Sequence, residues 1–229
     1  MNRVVIPELL DTDSGTPQEI ATALKDLRRI NRWFGGISTT RRMVESVARR
    51  TQIRSLSLLE VAAGNGYVPG ETTAQIRAHG IAVRVALLDR AHTHLPPGNT
   101  NGILAAAGDA LALPFADASF DLVSCCLFVH HLEPQEIVQF VNESLRVCRI
   151  AVLINDLVRH PIHLGLAYAS LPLYRSRLTH HDAPVSVRRA YTRDEMCQML
   201  SQTAAARVEI RRYPLFRMGV IAWKSRAIA

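Results

Sequence analysis

The apolar pattern of this chain changes period at Leu56. Upstream, Ile20, Leu24, Leu27, Ile30 and Trp33 or Phe34 recur at helical spacing, which places them on one face of a helix. Thr16–Pro17–Gln18–Glu19 supplies its start, with a threonine cap, proline at the first helical position and glutamate at the capping-box position. Gly35–Gly36 ends it. Ser38 and Thr39 open a second helix, with Met43, Val44 and Val47 on one face. From Leu56 onward, short apolar runs alternate with helical stretches. The runs Leu56–Val61, Ile81–Leu88, Ile103–Ala107, Phe120–Phe128 and Ile150–Ile154 read as strands. Helices are expected around Glu71–Ala78, closed by Gly80, and over Pro134–Val147, with Ile137, Val138, Val141 and Leu145 inward. Strands alternating with helices predict a doubly wound α/β sheet.

Two regions depart from that alternation. Arg90–Asn101, with Pro96–Pro97–Gly98, reads as a loop. Leu157–Tyr191 mixes apolar residues with Pro161, Pro172, Pro184 and paired histidines, and reads as an insertion covering the strand ends. A capped helix restarts at Thr192, with Glu195 completing the cap. Arg207–Tyr213 and Phe216–Trp223 then form a closing hairpin around Pro214. The expected organisation is one domain: a helical cap over 1–54, a core over 55–156, a substrate cover over 157–191, and a last helix and hairpin over 192–229.

Composition narrows the class. A chain of 229 residues with 48% hydrophobic content is long enough for one sizeable core and too apolar for disorder. No apolar run approaches the roughly 20 residues that cross a bilayer. Met1–Glu19 lacks the layout of a signal peptide, so a cytoplasmic location is expected. Cys125, Cys126, Cys148 and Cys197 form no Cys-x-x-Cys pair and read as reduced thiols. The net charge of +7 is carried almost wholly by arginine, since Lys25 and Lys224 are the only lysines. The arginines are spread along the chain, denser from Arg28 to Arg54, without a basic tail or aromatic stripe. That favours a solvated surface, or one drawing an anionic small molecule, over nucleic acid.

Leu56–Gly66 carries the first chemical signal. A buried strand running into Gly64–Asn65–Gly66 lets a ligand approach bare backbone. A dinucleotide site wants a third glycine three places on, where this chain has Pro69, with Gly70 one place late. Acids also stand at three successive strand ends: Glu60, Asp89 and Asp109. A carboxylate at Asp89 can accept hydrogen bonds from both hydroxyls of a ribose. Asp109 can receive an adenine amino group, with the Ala110 amide toward a ring nitrogen. Glu60 can order the glycine loop or attract an ammonium group.

An acid four residues before Gly-x-Gly resembles motif I of the class I S-adenosylmethionine-dependent methyltransferases. Gly108–Asp109–Ala110–Leu111–Ala112–Leu113–Pro114–Phe115, followed by an acidic turn and Ser119–Phe120–Asp121–Leu122–Val123, strongly resembles the quinone-biosynthesis-like (type 11) subgroup. His130–His131–Leu132 fits it too. The resemblance covers about Leu56–Ile154. It implies a Rossmann-like, seven-stranded sheet, mostly parallel with an antiparallel C-terminal hairpin strand. It implies S-adenosylmethionine as cofactor, held by Glu60, Ala62, Gly64, Asn65, Gly66, Asp89, Arg90, Asp109, Ala110 and Cys125. Ala62 departs from the pattern, standing where the family often has glycine. The Asn/Asp-Pro-Pro-Tyr/Phe motif of amino-group methyltransferases is absent, which argues against DNA adenine methylation.

A phenol or an electron-rich aromatic carbon must lose a proton on methylation, and histidine suits that near neutral pH. His130, just beyond the fourth strand, and His181, in the cover, are the candidate bases, with Asp156 as a further catalytic candidate. His131 is expected to cap the following helix, and Trp33 and Phe34 to close over the methionine end. His92-x-His94 lacks a third ligand, so no metal is expected. The leading reading is methyl transfer to oxygen or carbon of a small aromatic, phenolic or quinol-like molecule. An RNA or protein methyltransferase and a non-catalytic S-adenosylmethionine-binding protein stay open, as does the oligomeric state.

Overall fold

In the computed structural model, which describes residues 1–12, 14–93, 95 and 104–225, both upstream helices form. α1 (Pro17–Trp33) starts on Thr16, whose hydroxyl accepts from the Glu19 N–H while the Glu19 carboxylate accepts from the Thr16 N–H. α2 (Gly36–Thr51) begins directly after the turn at Gly35. Seven strands follow: β1 (Ser55–Val61), β2 (Ala82–Asp89), β3 (Leu104–Ala107), β4 (Phe120–Cys126), β5 (Cys148–Leu157), β6 (Arg207–Tyr213) and β7 (Arg217–Trp223). They form one sheet in the order β3-β2-β1-β4-β5-β7-β6. The first five pair in parallel, and β7 enters antiparallel between β5 and β6. The first residue of the expected third strand, Ile103, and most of the expected loop before it lie outside the described residues.

The connecting helices are α3 (Tyr67–Arg77), α4 (Pro134–Val147) and α7 (Arg193–Leu200). The period of two in β1 sends Leu59 and Val61 into the core shared with Ile137, Phe140 and Met196, and Leu56 and Leu58 into the core shared with Met43, Val47 and Ile76. The sheet is therefore covered on both faces, which is why its strands read as continuous apolar runs.

Several bounds differ from the pattern's expectation, each for a local reason. α3 starts at Tyr67 rather than near Glu71, because Pro69 falls in its first turn, where no intrahelical N–H is needed. β4 stops at Cys126, since Leu127 takes a left-handed φ of 57° and Val129–His131 coil into a 3-10 turn. β5 runs on to Leu157, because Asn155, Asp156 and Leu157 pair with Gly219, Met218 and Arg217 of β7. Asp156 thus lies within the strand and not beyond it. The 157–191 stretch contains two helices, α5 (Pro161–Ala169) and α6 (Arg177–Arg189). Its prolines hide them from a pattern reading: Pro161 is the first residue of α5, and Pro184 is buried inside α6.

Buried polar groups fasten the cap and cover to the sheet. Arg217 donates from Nε to the Phe34 carbonyl at 2.7 Å. Asn155 donates to the Gly36 carbonyl at 2.7 Å and to Thr40 Oγ1 at 2.9 Å. On α1, the buried Asp26 carboxylate accepts from the amides of Arg175 and Ser176 at 2.8 and 2.9 Å. Asp182 of α6 accepts from the amides of Leu9 and Leu10 at 2.8 and 3.1 Å. Among the described residues, no helix is long and apolar enough to cross a membrane.

Candidate cofactor and acceptor cavity

The ends of β1, β2 and β4 meet the lead-in, α1, α5 and α6 around a cavity of about 1530 Å³. The chain leaves β1 through a tight loop in which Ala62, Gly64 and Gly66 all take positive φ, at 54°, 52° and 72°. Gly66 turns it into α3. A β-carbon there would lie 2.7 Å from Leu87 Cδ1, so any other residue would have to displace that buried side chain as well as hold a positive φ. A β-carbon on Gly64 would meet nothing within 4 Å, and Gly64 lines the cavity. Bare backbone therefore faces open space. Asn65 Oδ1 accepts from the Tyr67 N–H at 3.2 Å.

Ala62 holds a conformation that costs an L-residue about 1–2 kcal/mol. Ala62→Gly relieves this and gives back part of it as unfolded-chain entropy. A net gain of about 0.5–1 kcal/mol is expected. It is read as a melting-temperature rise of about 1–4 °C, and an unchanged or lower melting temperature would refute it.

Asp89 ties the glycine loop to the neighbouring strand ends. Its Oδ2 accepts from the Gly64 N–H at 2.7 Å and its Oδ1 from the Ala91 N–H at 3.0 Å, while its carbonyl accepts from the Gly108 N–H at 3.0 Å. Asp109 accepts from the Leu111 N–H at 2.9 Å. Asp89, Arg90, Asp109 and Ala110 all line the cavity.

Glu60 is buried beneath the loop yet also lines the cavity. It faces Ser124 across the β1–β4 pairing, and the Ser124 hydroxyl donates to its carboxylate. Burial, opposed in part by that hydrogen bond, pushes its pKa up to about 7. Ser124 is the one polar residue in the apolar run Leu122–Phe128, the signal in the sequence that marks it.

Of the two adjacent thiols, Cys126 and not Cys125 reaches the cavity. Cys125 is buried in the core. Cys126 donates to Asn31 Oδ1 at 3.6 Å, and burial pushes its thiol up to about 12. Phe34 lines the cavity, whereas Trp33 is exposed away from it.

The histidines sort differently from the sequence expectation. His130 is buried against the cavity, its Nδ1 2.7 Å from Asp156 Oδ1, and its N–H donates to Asp156 Oδ2 at 3.1 Å. On its other side Nε2 lies 3.4 Å from Glu8 Oε1. Burial disfavours its protonation most strongly, but Asp156 and Glu8 together prevail and raise its pKa to about 10. Both ring nitrogens thus face carboxylates, an arrangement that favours the charged, donating form of His130 over a neutral base. His181 does not line the cavity; it is part-exposed and pairs with Asp182 at 2.8 Å. His131 lines the cavity and pairs with Asp11 at 2.8 Å instead of capping a helix; Glu133 caps α4. Glu8 and Asp11 are site residues that no local pattern marked. His94 lies outside the described residues.

Residues 59–152 match the family model of the methyltransferase domain. The plantazolicin methyltransferase BpumL, solved in complex with SAH, superposes with a TM-score of 0.71 over 95% of this chain and 95% of that chain, at 12% identity. A SAM-dependent methyltransferase from Aquifex aeolicus gives 0.56 over 79% of this chain and 89% of that chain, at 16% identity. Residues 59–152 form a methyltransferase domain, in a chain with the class I, S-adenosylmethionine-dependent methyltransferase fold. The CMeT domain of the citrinin polyketide synthase also matches, with a TM-score of 0.56 and 12% identity, over 75% of this chain and 47% of that one; the methyltransferase described here spans about half of that structure. No curated protein matches the chain. The likeness to BpumL extends over cap and cover as well as the sheet, and at that identity it speaks for the fold. S-adenosylmethionine is the cofactor, and the residues of this methyltransferase fit it: an open glycine cradle, a buried acid below it, and carboxylates at two further strand ends.

Proposed function

We propose that this methyltransferase receives the methionine end of its cofactor at Glu60 and the loop Ala62–Gly66, the ribose at Asp89, and the adenine beside Arg90, Asp109 and Ala110. We further propose that it methylates oxygen or carbon of a small aromatic, phenolic or quinol-like acceptor. When bound, S-adenosylmethionine supplies a methyl group that is already electrophilic. The chain's own work is alignment and exclusion of water. The observation that carries this reading is the cavity. At about 1530 Å³ it exceeds the roughly 300–1000 Å³ typical of one small ligand, so it has room for a cofactor and an acceptor together. Its walls away from the acids are apolar, with Leu27, Ile30, Phe34, Phe128, Leu166 and Leu173 among them. Glu8, His130 and His131, with Asp156 positioning His130, are the polar feature against which a hydroxyl can be held.

The basic surface supports a macromolecular acceptor poorly. Arg50, Arg146, Arg149 and Arg177 each pair with a carboxylate, which leaves less free charge for phosphates.

The test is transfer of a labelled methyl group to a panel of phenols, catechols and quinols. Leu166 lines the cavity and is half exposed, so Leu166→Glu should leave the fold and cofactor affinity intact. It should raise KM for an accepted phenol about tenfold or more, the loss of one buried leucine contact being about 1.5–3 kcal/mol. Label passing only to RNA, with steeply salt-dependent binding, would overturn the small-molecule reading.

A further inference from the structure

The 3-10 turn Val129–His131 sets two imidazoles side by side, with ring centroids 4.1 Å apart and planes 37° from parallel. Glu8, arriving from the lead-in, faces both. Its Oε1 lies 3.4 Å from His130 Nε2 and 3.9 Å from His131 Nε2, and one ligand atom from each of the three residues falls within 4.8 Å of the others. The other ring nitrogens are already occupied: His130 Nδ1 by Asp156 Oδ1 at 2.7 Å, His131 Nδ1 by Asp11 Oδ2 at 2.8 Å. Ser186 Oγ donates to Glu8 Oε1 at 2.8 Å.

We propose that Glu8, His130 and His131 form a binding site for one divalent transition-metal ion, open to the cavity. Nitrogen and oxygen ligands sit about 2.0–2.1 Å from such an ion. Ligands at that radius are about 3–3.5 Å apart in octahedral or tetrahedral geometry. The Glu8–His130 separation already meets that spacing, the Glu8–His131 separation needs a few tenths of an ångström of closure, and the two histidines offer ligand atoms within 4.8 Å of each other. A carboxylate on each Nδ1 is the arrangement that fixes a metal-binding histidine, holding the proton on the outer nitrogen and aiming the Nε2 lone pair inward. Both imidazoles have it here. It is supplied from two places far apart in the chain, Asp156 in β5 and Asp11 in the lead-in.

Charge points the same way. Glu8, Asp11 and Asp156 surround two imidazoles, and Arg189, with Nη1 3.6 Å from Asp11 Oδ2, offsets only one acid. A proton on His130 and a dication between the three ligands are alternative ways to neutralise the rest. Two nitrogens and one oxygen suit zinc, iron, cobalt, nickel or manganese better than magnesium or calcium, which prefer oxygen throughout. All three residues line the cavity, so a remaining coordination position would face it and take an oxygen donor, a water or a hydroxyl-bearing ligand. The inference does not depend on the identity of the methyl acceptor.

The test uses the full chain, stripped with a chelator and titrated separately with Zn²⁺ and Co²⁺. Wild type should bind one equivalent, melt at higher temperature with Zn²⁺, and give visible d–d absorption with Co²⁺. Glu8→Gln and His131→Ala should each weaken Zn²⁺ binding at least a hundredfold, and Asp11→Asn about tenfold, the effect of losing an outer partner. His79, which pairs with Glu45 at 2.7 Å on the surface, supplies the control, and His79→Ala should change nothing. Glu8 lies outside the sheet, so Glu8→Gln decides the matter if His131→Ala fails to fold. The proposal is overturned if wild type takes up no stoichiometric metal, if the variants bind as wild type does, or if binding disappears with His79. None of these results bears on methyl transfer.

Discussion

Asp89→Ala should weaken S-adenosylmethionine binding by roughly 30- to 1000-fold while costing the free protein much less. In the structure the Asp89 carboxylate accepts one N–H on each oxygen, from Gly64 and from Ala91. Each oxygen keeps a further lone pair for a ribose hydroxyl. Hydrogen bonds to a charged group contribute about 1.5–3 kcal/mol each. A combined loss of about 2–4 kcal/mol from these bonds, at 1.4 kcal/mol per factor of ten, gives the stated range. The Gly64 and Ala91 amides sit at the rim of an open cavity and can turn to water, so the stability loss should stay near 1–2 kcal/mol. Calorimetry with S-adenosylhomocysteine and with its 2′-deoxy analogue separates direct contact from loop ordering. Wild type should lose affinity for the deoxy analogue, and Asp89→Ala should bind both ligands alike, the non-additivity expected of groups that touch. Equal losses in the two proteins would place the ribose elsewhere and leave Asp89 as a loop tie.

The residues that could be read from sequence and those that could not differ in how local their causes are. Glu60, Asp89 and Asp109 each follow a short apolar run. A parallel sheet delivers the C-terminal ends of its strands to one edge, so their meeting follows from the strand pattern alone. Glu8 and Asp11 lie in a lead-in with no periodicity. What brings them to His130 and His131 is tertiary: Asp182 accepting the amides of Leu9 and Leu10, and Arg3 reaching Glu133 and the carbonyl of Leu132. No local signal encodes that. The helices α5 and α6 were masked by proline, which marks a helix start at Pro161 and is tolerated at Pro184. His181 has the residue type and sequence neighbourhood of a base, but helical geometry gives Thr179, Asp182 and Ala183 to the cavity and not His181.

Glu60→Gln should remove a pH dependence of stability worth about 3 kcal/mol. Burial holds the Glu60 carboxyl protonated to about pH 7, against an ordinary value of 4.5. Between those two values the folded chain keeps a proton that the unfolded chain has released, so stability falls as pH rises through the window. Each pH unit costs about 1.4 kcal/mol, which over the window amounts to about 3 kcal/mol. Glutamine keeps an acceptor for the Ser124 hydroxyl and has no proton to lose. Near pH 5 the variant should match wild type, and near pH 8 it should be the more stable by about that amount. Urea unfolding of both proteins at several pH values measures it. Other titrating groups, the Glu8–His130 cluster included, are common to both and cancel in the difference. A constant difference from pH 5 to pH 8 would show that Glu60 ionises as an ordinary carboxylate. The same burial gives the acid a use. An ionised Glu60 under the glycine loop is stabilised by positive charge above it, so wild type should bind S-adenosylmethionine more tightly as pH rises from 6 to 8. Glu60→Gln should bind it with flat pH dependence and lower affinity at pH 8. On the proposed placement of the methionine end, the glutamate would destabilise the empty site and favour the filled one, a use for a costly buried carboxylate near the end of β1 where glutamine should fold better.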